Sequence, residues 1–108
     1  MPNVTIFLPA EVMPSDSTLA SLTDRCTELC TDILQAALEN VHVIDVPVRH
    51  GRGHPAFVDI RYRLGLSRTP AVMQRFMSEL DTAIQAATTS TARIRCFGYA
   101  ADHICARN

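Results

Sequence analysis

The chain has 108 residues, a formal net charge of -1 and no lysine, so arginine supplies all ten of its basic side chains. Its length predicts a single domain over residues 1–108, and 47% hydrophobic residues suffice for a small core that oligomerisation would extend. The balanced charge argues against a nucleic-acid partner, and no apolar run approaches the roughly 20 residues that span a membrane. We therefore expect a soluble, cytoplasmic protein.

Periodicity in the first half of the chain predicts a strand, a helix and a second strand. The run from Asn3 to Leu8 is typical of a buried strand. Apolar residues then recur every three or four positions over residues 17–39, which predicts one amphipathic helix. The β-branched run from Val41 to Val48 predicts the second strand, and a glycine-bearing loop follows over residues 49–55.

The second half of the chain repeats this order. Residues from Ala56 to Leu64 predict a strand, Pro70 begins a helix that runs to Ala87, and Arg93 to Tyr99 predict the last strand. The halves, about residues 1–54 and 55–108, therefore each predict a βαβ unit. Because such crossovers are right-handed, we expect an α/β fold with one four-stranded sheet and two helices on one face.

The last two predicted strands indicate what covers each face of the sheet. Val58, Ile60, Tyr62 and Leu64 alternate with polar positions and suit the helix side. The opposite face combines both charge signs with aromatic rings: Phe57, Asp59, Arg61, Arg63, Arg93, Arg95, Phe97 and Tyr99. This mixture favours a sheet face buried against other subunits, with a solvated face as the alternative.

Cysteine and histidine spacing predicts no metal centre. Cys26 and Cys30 lie four residues apart on the first helix, and no CxxC or Cys/His ligand spacing occurs. His50 and His54 flank Gly51-Arg52-Gly53, which matches no metal motif and favours a basic loop. We expect four reduced thiols, no metal and no cofactor.

Pro2 is a candidate general base. If Met1 is removed, the chain begins with a secondary amine fixed to a rigid strand. Burial beside positive charge disfavours the protonated amine and lowers its pKa from about 8 toward neutrality, which suits proton transfer. If Met1 is retained, the Pro2 nitrogen is a tertiary amide without a basic lone pair.

Several of these features occur together in one known family. A proline that opens a strand, a doubled βαβ unit and the run AFVDIRYRLGLSRT from Ala56 to Thr69 resemble the tautomerase superfamily. The chain is most similar to its 5-carboxymethyl-2-hydroxymuconate isomerase group. The resemblance implies a homotrimer whose sheets enclose a central barrel, with active sites near subunit boundaries. It also implies a cofactor-independent keto-enol tautomerase of a small carboxylate-bearing 2-hydroxydienoate or 2-keto acid.

The resemblance also implies roles for single residues. Pro2 would be the base, and Arg68 would hold the substrate carboxylate. Arg95 and Phe97 fall on fourth-strand positions that line the pocket in related members. A structural role is the alternative for both arginines: Arg68 at a helix start, and Arg95 in an ion pair with Asp59.

The family's second arginine, just after the first helix, has no clean match here. Arg49 or Arg52 would then have to reach the site from the loop. An arginine near the amine would bind a carboxylate, lower the amine pKa and stabilise a dienolate.

Two other functions fit the same resemblance. One is a hydratase or dehalogenase of a haloacrylate-like acid, which needs a further acid or aromatic group such as Tyr99 to place water near Pro2. The other is a trimeric binding module without catalysis, which retention of Met1 would favour.

Overall fold

The computed structural model describes residues 1–108, and the elements follow the predicted order. The strands are β1 (Asn3–Pro9), β2 (His42–Val48), β3 (Ala56–Arg63) and β4 (Ala92–Tyr99), and the helices are α1 (Asp16–Asp32) and α2 (Pro70–Thr88). Short 3-10 turns occupy Ala10–Val12, Leu38–Asn40 and Ala101–His103. Neither helix has both the length and the apolar character that crossing a bilayer requires.

The four strands form one sheet in the order β2-β1-β3-β4. β1 is parallel to β2, and β3 is parallel to β4, so a helix connects the strands of each parallel pair. The central strands β1 and β3 are antiparallel, with Asn3 opposite Arg61. Two βαβ units therefore share one sheet, which confirms the predicted fold class.

One face of the sheet carries the core. Alternate residues of β1 and β3 are buried on this face: Val4, Ile6, Leu8, Val58, Ile60 and Tyr62. They pack with the buried faces of the two helices, namely Leu22, Cys26, Leu29, Cys30, Met73, Phe76, Leu80 and Ile84. Leu64, predicted to share this face, is 50% exposed because β3 ends one residue earlier, at Arg63.

Helix α1 is shorter than the periodicity predicts. It ends at Asp32 rather than near residue 39, and Gln35 adopts a left-handed conformation with φ of 54°. Ile33 and Leu34 are still buried, so the apolar pattern continues although the helix does not. The carbonyl oxygen of Leu34 accepts a hydrogen bond from Arg68 Nε at 3.1 Å, which gives this group a partner outside the helix.

Strand β4 approaches β3 closely at Gly98. This residue is the register partner of Tyr62, and a Cβ here would lie 2.8 Å from Tyr62 Cζ and 2.6 Å from Leu64 Cδ2. A side chain would therefore collide with the neighbouring strand. The glycine allows the Tyr62 ring to lie over β4 beside the core.

Candidate functional site

The N-terminus opens into a cavity at the end of the sheet where β1 begins. The cavity has a volume of about 520 Å³ and is bounded by the segment after α1, the end of β3 and the C-terminal segment. Its lining residues are Met1, Gln35, Ala36, Ala37, Asn40, Arg63, Arg68, Ile104, Ala106, Arg107 and Asn108. Three of these side chains are arginines and none is an aspartate or glutamate, so the site favours an anion.

Pro2 fixes the N-terminus to the sheet. Its side chain is fully buried, and its carbonyl oxygen accepts a hydrogen bond from the His42 amide at 3.1 Å, in line with the β1–β2 pairing. With Met1 attached, the Pro2 nitrogen belongs to an amide and the free amine is that of Met1. Burial lowers the pKa of this amine from 8.0, and the charges of Arg63 and Arg68 lower it further. We expected positive charge near the N-terminus, and Arg63 and Arg68 supply it because they line the same cavity.

Arg68 is held rigidly at the cavity wall. Its Nε donates to the Leu34 carbonyl oxygen at 3.1 Å, and its Nη1 donates to the Arg63 carbonyl oxygen at 2.7 Å. The next residue, Thr69, caps α2 by accepting a hydrogen bond from the Val72 amide, which fixes the chain on the other side of Arg68. Nη2 and the second hydrogen of Nη1 have no partner, so this end of the guanidinium can bind a carboxylate.

Arg63 and Arg107 complete the positive lining, and sequence reasoning missed both as site residues. Neither makes an ion pair, since the four ion pairs of the molecule involve Arg25, Arg61 and His103 as cations. Arg63 is the last residue of β3, which runs antiparallel to β1 with Arg61 opposite Asn3, so Arg63 lies beside the start of β1. Nothing in the sequence indicated that the C-terminal segment returns to the N-terminus.

Arg95 and Phe97 do not join this cavity. They alternate with Ile94 and Cys96 on β4 and therefore lie on the face away from the helices. Arg95 Nη1 donates to the carbonyl oxygen of Ile94, and the Arg61 guanidinium lies 5.0 Å from the centre of the Phe97 ring.

The alternative of an Asp59–Arg95 ion pair is wrong for the single chain. The two residues are register partners, but Asp59 binds Arg61 on its own strand, with Nε at 3.0 Å from Oδ1. Arg61 Nη1 also donates to the Tyr99 hydroxyl at 2.7 Å. Arg61 therefore occupies the Asp59 carboxylate, which an ion pair with Arg95 would require. It also occupies the Tyr99 hydroxyl, which was the candidate for placing a water molecule near Pro2.

Arg49 and Arg52 lie at the opposite end of the sheet. Their loop follows β2, whose last residue pairs with Pro9, whereas Pro2 precedes the first residue of β1. The seven residues of β1 separate these ends by about 20 Å. Neither arginine can reach the cavity of its own chain, so the expected reach from the loop is wrong within one chain.

None of the four cysteines lines the cavity at the N-terminus. All four are free thiols, Cys26 and Cys30 are buried on α1, and burial raises the pKa of Cys96 to about 11. No group of three His, Cys, Asp or Glu side chains converges in a way that could hold a metal ion. A second cavity of about 520 Å³ lies between α1 and α2, far from the N-terminus, and no titratable side chain there lacks a partner.

Comparison with known protein families found no match, and comparison with curated proteins found none either. Solved structures do match over almost the whole chain. A wild-type fused 4-OT, a symmetric trimer, has a TM-score of 0.82 at 16% identity and covers 98% of this chain and 94% of its own. The chain has the tautomerase fold.

Two further structures share this fold. N1, a member of the cis-3-chloroacrylic acid dehalogenase family, has a TM-score of 0.81 at 14% identity over 97% of this chain and 80% of its own. Macrophage migration inhibitory factor from Toxoplasma gondii has a TM-score of 0.79 at 15% identity over 97% of this chain and 96% of its own. At these identities the likeness establishes architecture, and membership of the muconate isomerase group stays a prediction.

Proposed function

We propose that the protein is a cofactor-independent keto-enol tautomerase of a small carboxylate-bearing 2-hydroxydienoate or 2-keto acid. The observation that carries the proposal is the position of the N-terminus in a cavity lined by Arg63, Arg68 and Arg107. The site offers an anion-binding wall at the N-terminus, where burial and the charges of Arg63 and Arg68 lower the pKa of the Met1 amine, and the same charges would act on a Pro2 amine after Met1 is removed.

In the proposed reaction, removal of Met1 makes Pro2 a secondary amine at the cavity. The unprotonated amine accepts the proton of the 2-hydroxyl group as the C–O bond becomes a carbonyl, and the ammonium returns this proton to a carbon of the dienolate. One O–H bond breaks and one C–H bond forms, so no redox partner is needed. Arg68 holds the substrate carboxylate and stabilises the charge that develops on the dienolate.

We also propose a homotrimer. The sheet face away from the helices exposes apolar side chains, with Phe97 41% and Ile44 44% exposed, and Phe7 packs beside Phe57 at 5.9 Å between ring centres. A role in substrate binding for Arg52, Arg95 or Phe97 requires a second copy of the chain, because none of them reaches the cavity of its own chain. Sedimentation should give a trimer, and a stable monomer of 11.9 kDa at micromolar concentration would reject it.

The dehalogenase alternative has less support from the cavity. Activation of water beside the proline needs a further acid, and no Asp or Glu lines the cavity. The Tyr99 hydroxyl, which was the candidate aromatic, accepts a hydrogen bond from Arg61 instead. Tautomerisation requires no such group, because the proton carrier and the anion-binding wall are sufficient.

The direct test begins with intact mass, which selects protein that starts at Pro2. Ketonisation of phenylenolpyruvate is then followed by ultraviolet absorbance. Turnover well above the buffer-catalysed rate is expected, and its loss in Arg68→Ala would tie it to the cavity. No turnover with this and related dienols would reject the proposal and favour the binding module.

A further inference from the structure

The C-terminal segment lies where it can take part in recognition. After β4 the chain makes the turn Ala101–His103, and Ile104 is half-buried. Hydrogen bonds from the His103 amide to the Ala100 carbonyl oxygen and from the Ile104 amide to the Ala101 carbonyl oxygen close this turn. The residues beyond it, Ala106 to Asn108, therefore form a wall of the cavity that contains the N-terminus.

Arg107 brings a charge to this wall that the fold itself does not use. Its guanidinium makes no ion pair and no hydrogen bond, and no acidic side chain lines the cavity. Arg63 and Arg68 already place two like charges at the same cavity. The cavity therefore presents three guanidinium groups, each of which can bind an anionic group of a ligand.

The arginines of the cavity come from different parts of the chain. Arg63 and Arg68 come from the end of β3 and the residues before α2, whereas Arg107 comes from the C-terminal segment. All three arginines line the same cavity. A ligand with one carboxylate held by Arg68 can therefore present a second anionic group to Arg107.

We propose that the C-terminal segment is part of the substrate site and that Arg107 binds a second anionic group of the ligand while Arg68 holds the first. The inference rests on the proposed function, since it takes this cavity to be the substrate site. It assigns the second anion-binding arginine to the C-terminal segment of the same chain, and not to the loop of residues 49–55.

Binding measurements test this assignment without requiring turnover. Calorimetry on the full chain would compare succinate, glutarate and adipate with butyrate, pentanoate and hexanoate, so that each pair has the same number of carbons. These saturated acids cannot tautomerise. In at least one pair we expect the diacid to bind at least fivefold tighter, and a smaller ratio in every pair would overturn the inference.

Arg107→Ala should reduce that ratio to below twofold while leaving the affinity for the monocarboxylate unchanged. The matched control is Arg75→Ala, because Arg75 is an exposed arginine on α2 that makes no ion pair and lies outside the cavity. A ratio in Arg107→Ala that equals the wild-type ratio would overturn the inference. Preference for the diacid without any turnover of keto acids would instead reject the proposed function alone.

Kinetics supply a second readout if the enzyme is active. Arg107→Ala should raise KM for a dicarboxylate substrate with little change in kcat, and the pH profile should keep the same amine pKa. A shifted profile would show that Arg107 acts on the base and would contradict a role limited to ligand binding.

Discussion

Arg68 and Leu34 join two parts of the chain that are distant in sequence, through a hydrogen bond of 3.1 Å from the Arg68 guanidinium to the Leu34 carbonyl oxygen. Leu34 follows the end of α1, and Arg68 precedes the start of α2. Arg68 also donates to the Arg63 carbonyl oxygen at the end of β3, so one side chain links three segments around the cavity. The proposed anion-binding group is therefore also a structural group.

This double role makes Arg68→Ala informative in two assays. Loss of two hydrogen bonds from a charged donor should lower the free energy of unfolding by about 2 kcal/mol. The same variant should raise KM for a carboxylate substrate and lower kcat/KM by roughly 2 to 4 kcal/mol in activation free energy. Urea denaturation and steady-state kinetics measure the two effects separately.

Arg68→Lys and Arg75→Ala are the matched comparisons. A lysine keeps the charge but loses the planar fork, so it should recover part of the binding and little of the stability. Arg75→Ala should change neither quantity. A wild-type kcat/KM in Arg68→Ala would mean that another group holds the carboxylate, with Arg63 next to it in the cavity.

Gly98→Ala should destabilise the fold because the new methyl group would collide with the Tyr62 ring and Leu64. Overpacking of this kind costs about 1 to 3 kcal/mol. Thermal or urea unfolding measures the change. Gly51→Ala is the control, because nothing lies within 4 Å of a Cβ at that loop position. Equal stability of the two variants would show that β3 and β4 separate easily at this point.

Ionisation of Asp45 should lower the stability of the fold as pH rises. An ion-paired carboxylate has the opposite effect, because its ionisation adds stability. Thr23 Oγ1 donates to its Oδ2 at 3.3 Å, but its Oδ1 is buried without a partner. Burial raises the pKa of Asp45 above its ordinary value of 3.8, and this effect exceeds the opposing effect of the Thr23 hydrogen bond. The folded state therefore binds the proton more readily than the unfolded state, and ionisation weakens the fold.

The expected result is that Asp45→Asn becomes more stable relative to wild type as pH rises from about 4 toward 7, with little difference below the unfolded-state pKa. Asp24→Asn, at an exposed position on the same helix as Thr23, is the control. Urea denaturation at several pH values measures both. A difference between Asp45→Asn and wild type that does not change with pH would contradict the raised pKa.

The sequence predicted the elements well because their apolar periodicities reflect the core directly. The alternation at Val58, Ile60 and Tyr62 and the stripe of α2 are buried as expected. Helix α1 was predicted too long, since buried Ile33 and Leu34 continue its apolar stripe beyond the last helical turn. The periodicity reports which residues are buried and not where the helix ends. A left-handed residue such as Gln35 therefore ends the helical path without interrupting the apolar pattern.

The candidate site was harder to predict because it depends on chain segments that meet only in three dimensions. The family resemblance implied that Pro2 and Arg68 share one site, whereas Arg107 reaches the cavity through the path of the C-terminal segment. A charged residue on a strand can also pair with residues of its own strand or of the neighbouring strand. Asp59 binds Arg61 of its own strand and not Arg95 of the next, a choice that alternation alone does not determine.

The central claim is that the Pro2 amine carries the proton, and one matched pair of proteins tests it most directly. Chain that begins at Pro2 and chain that retains Met1 would be separated by intact mass, and ketonisation would be followed as a function of pH. The first form should be active, with a rate that rises through an amine pKa below about 8, because only the unprotonated amine accepts the proton. The second form should keep the same fold and be inactive. Equal activity of the two forms would contradict proline catalysis.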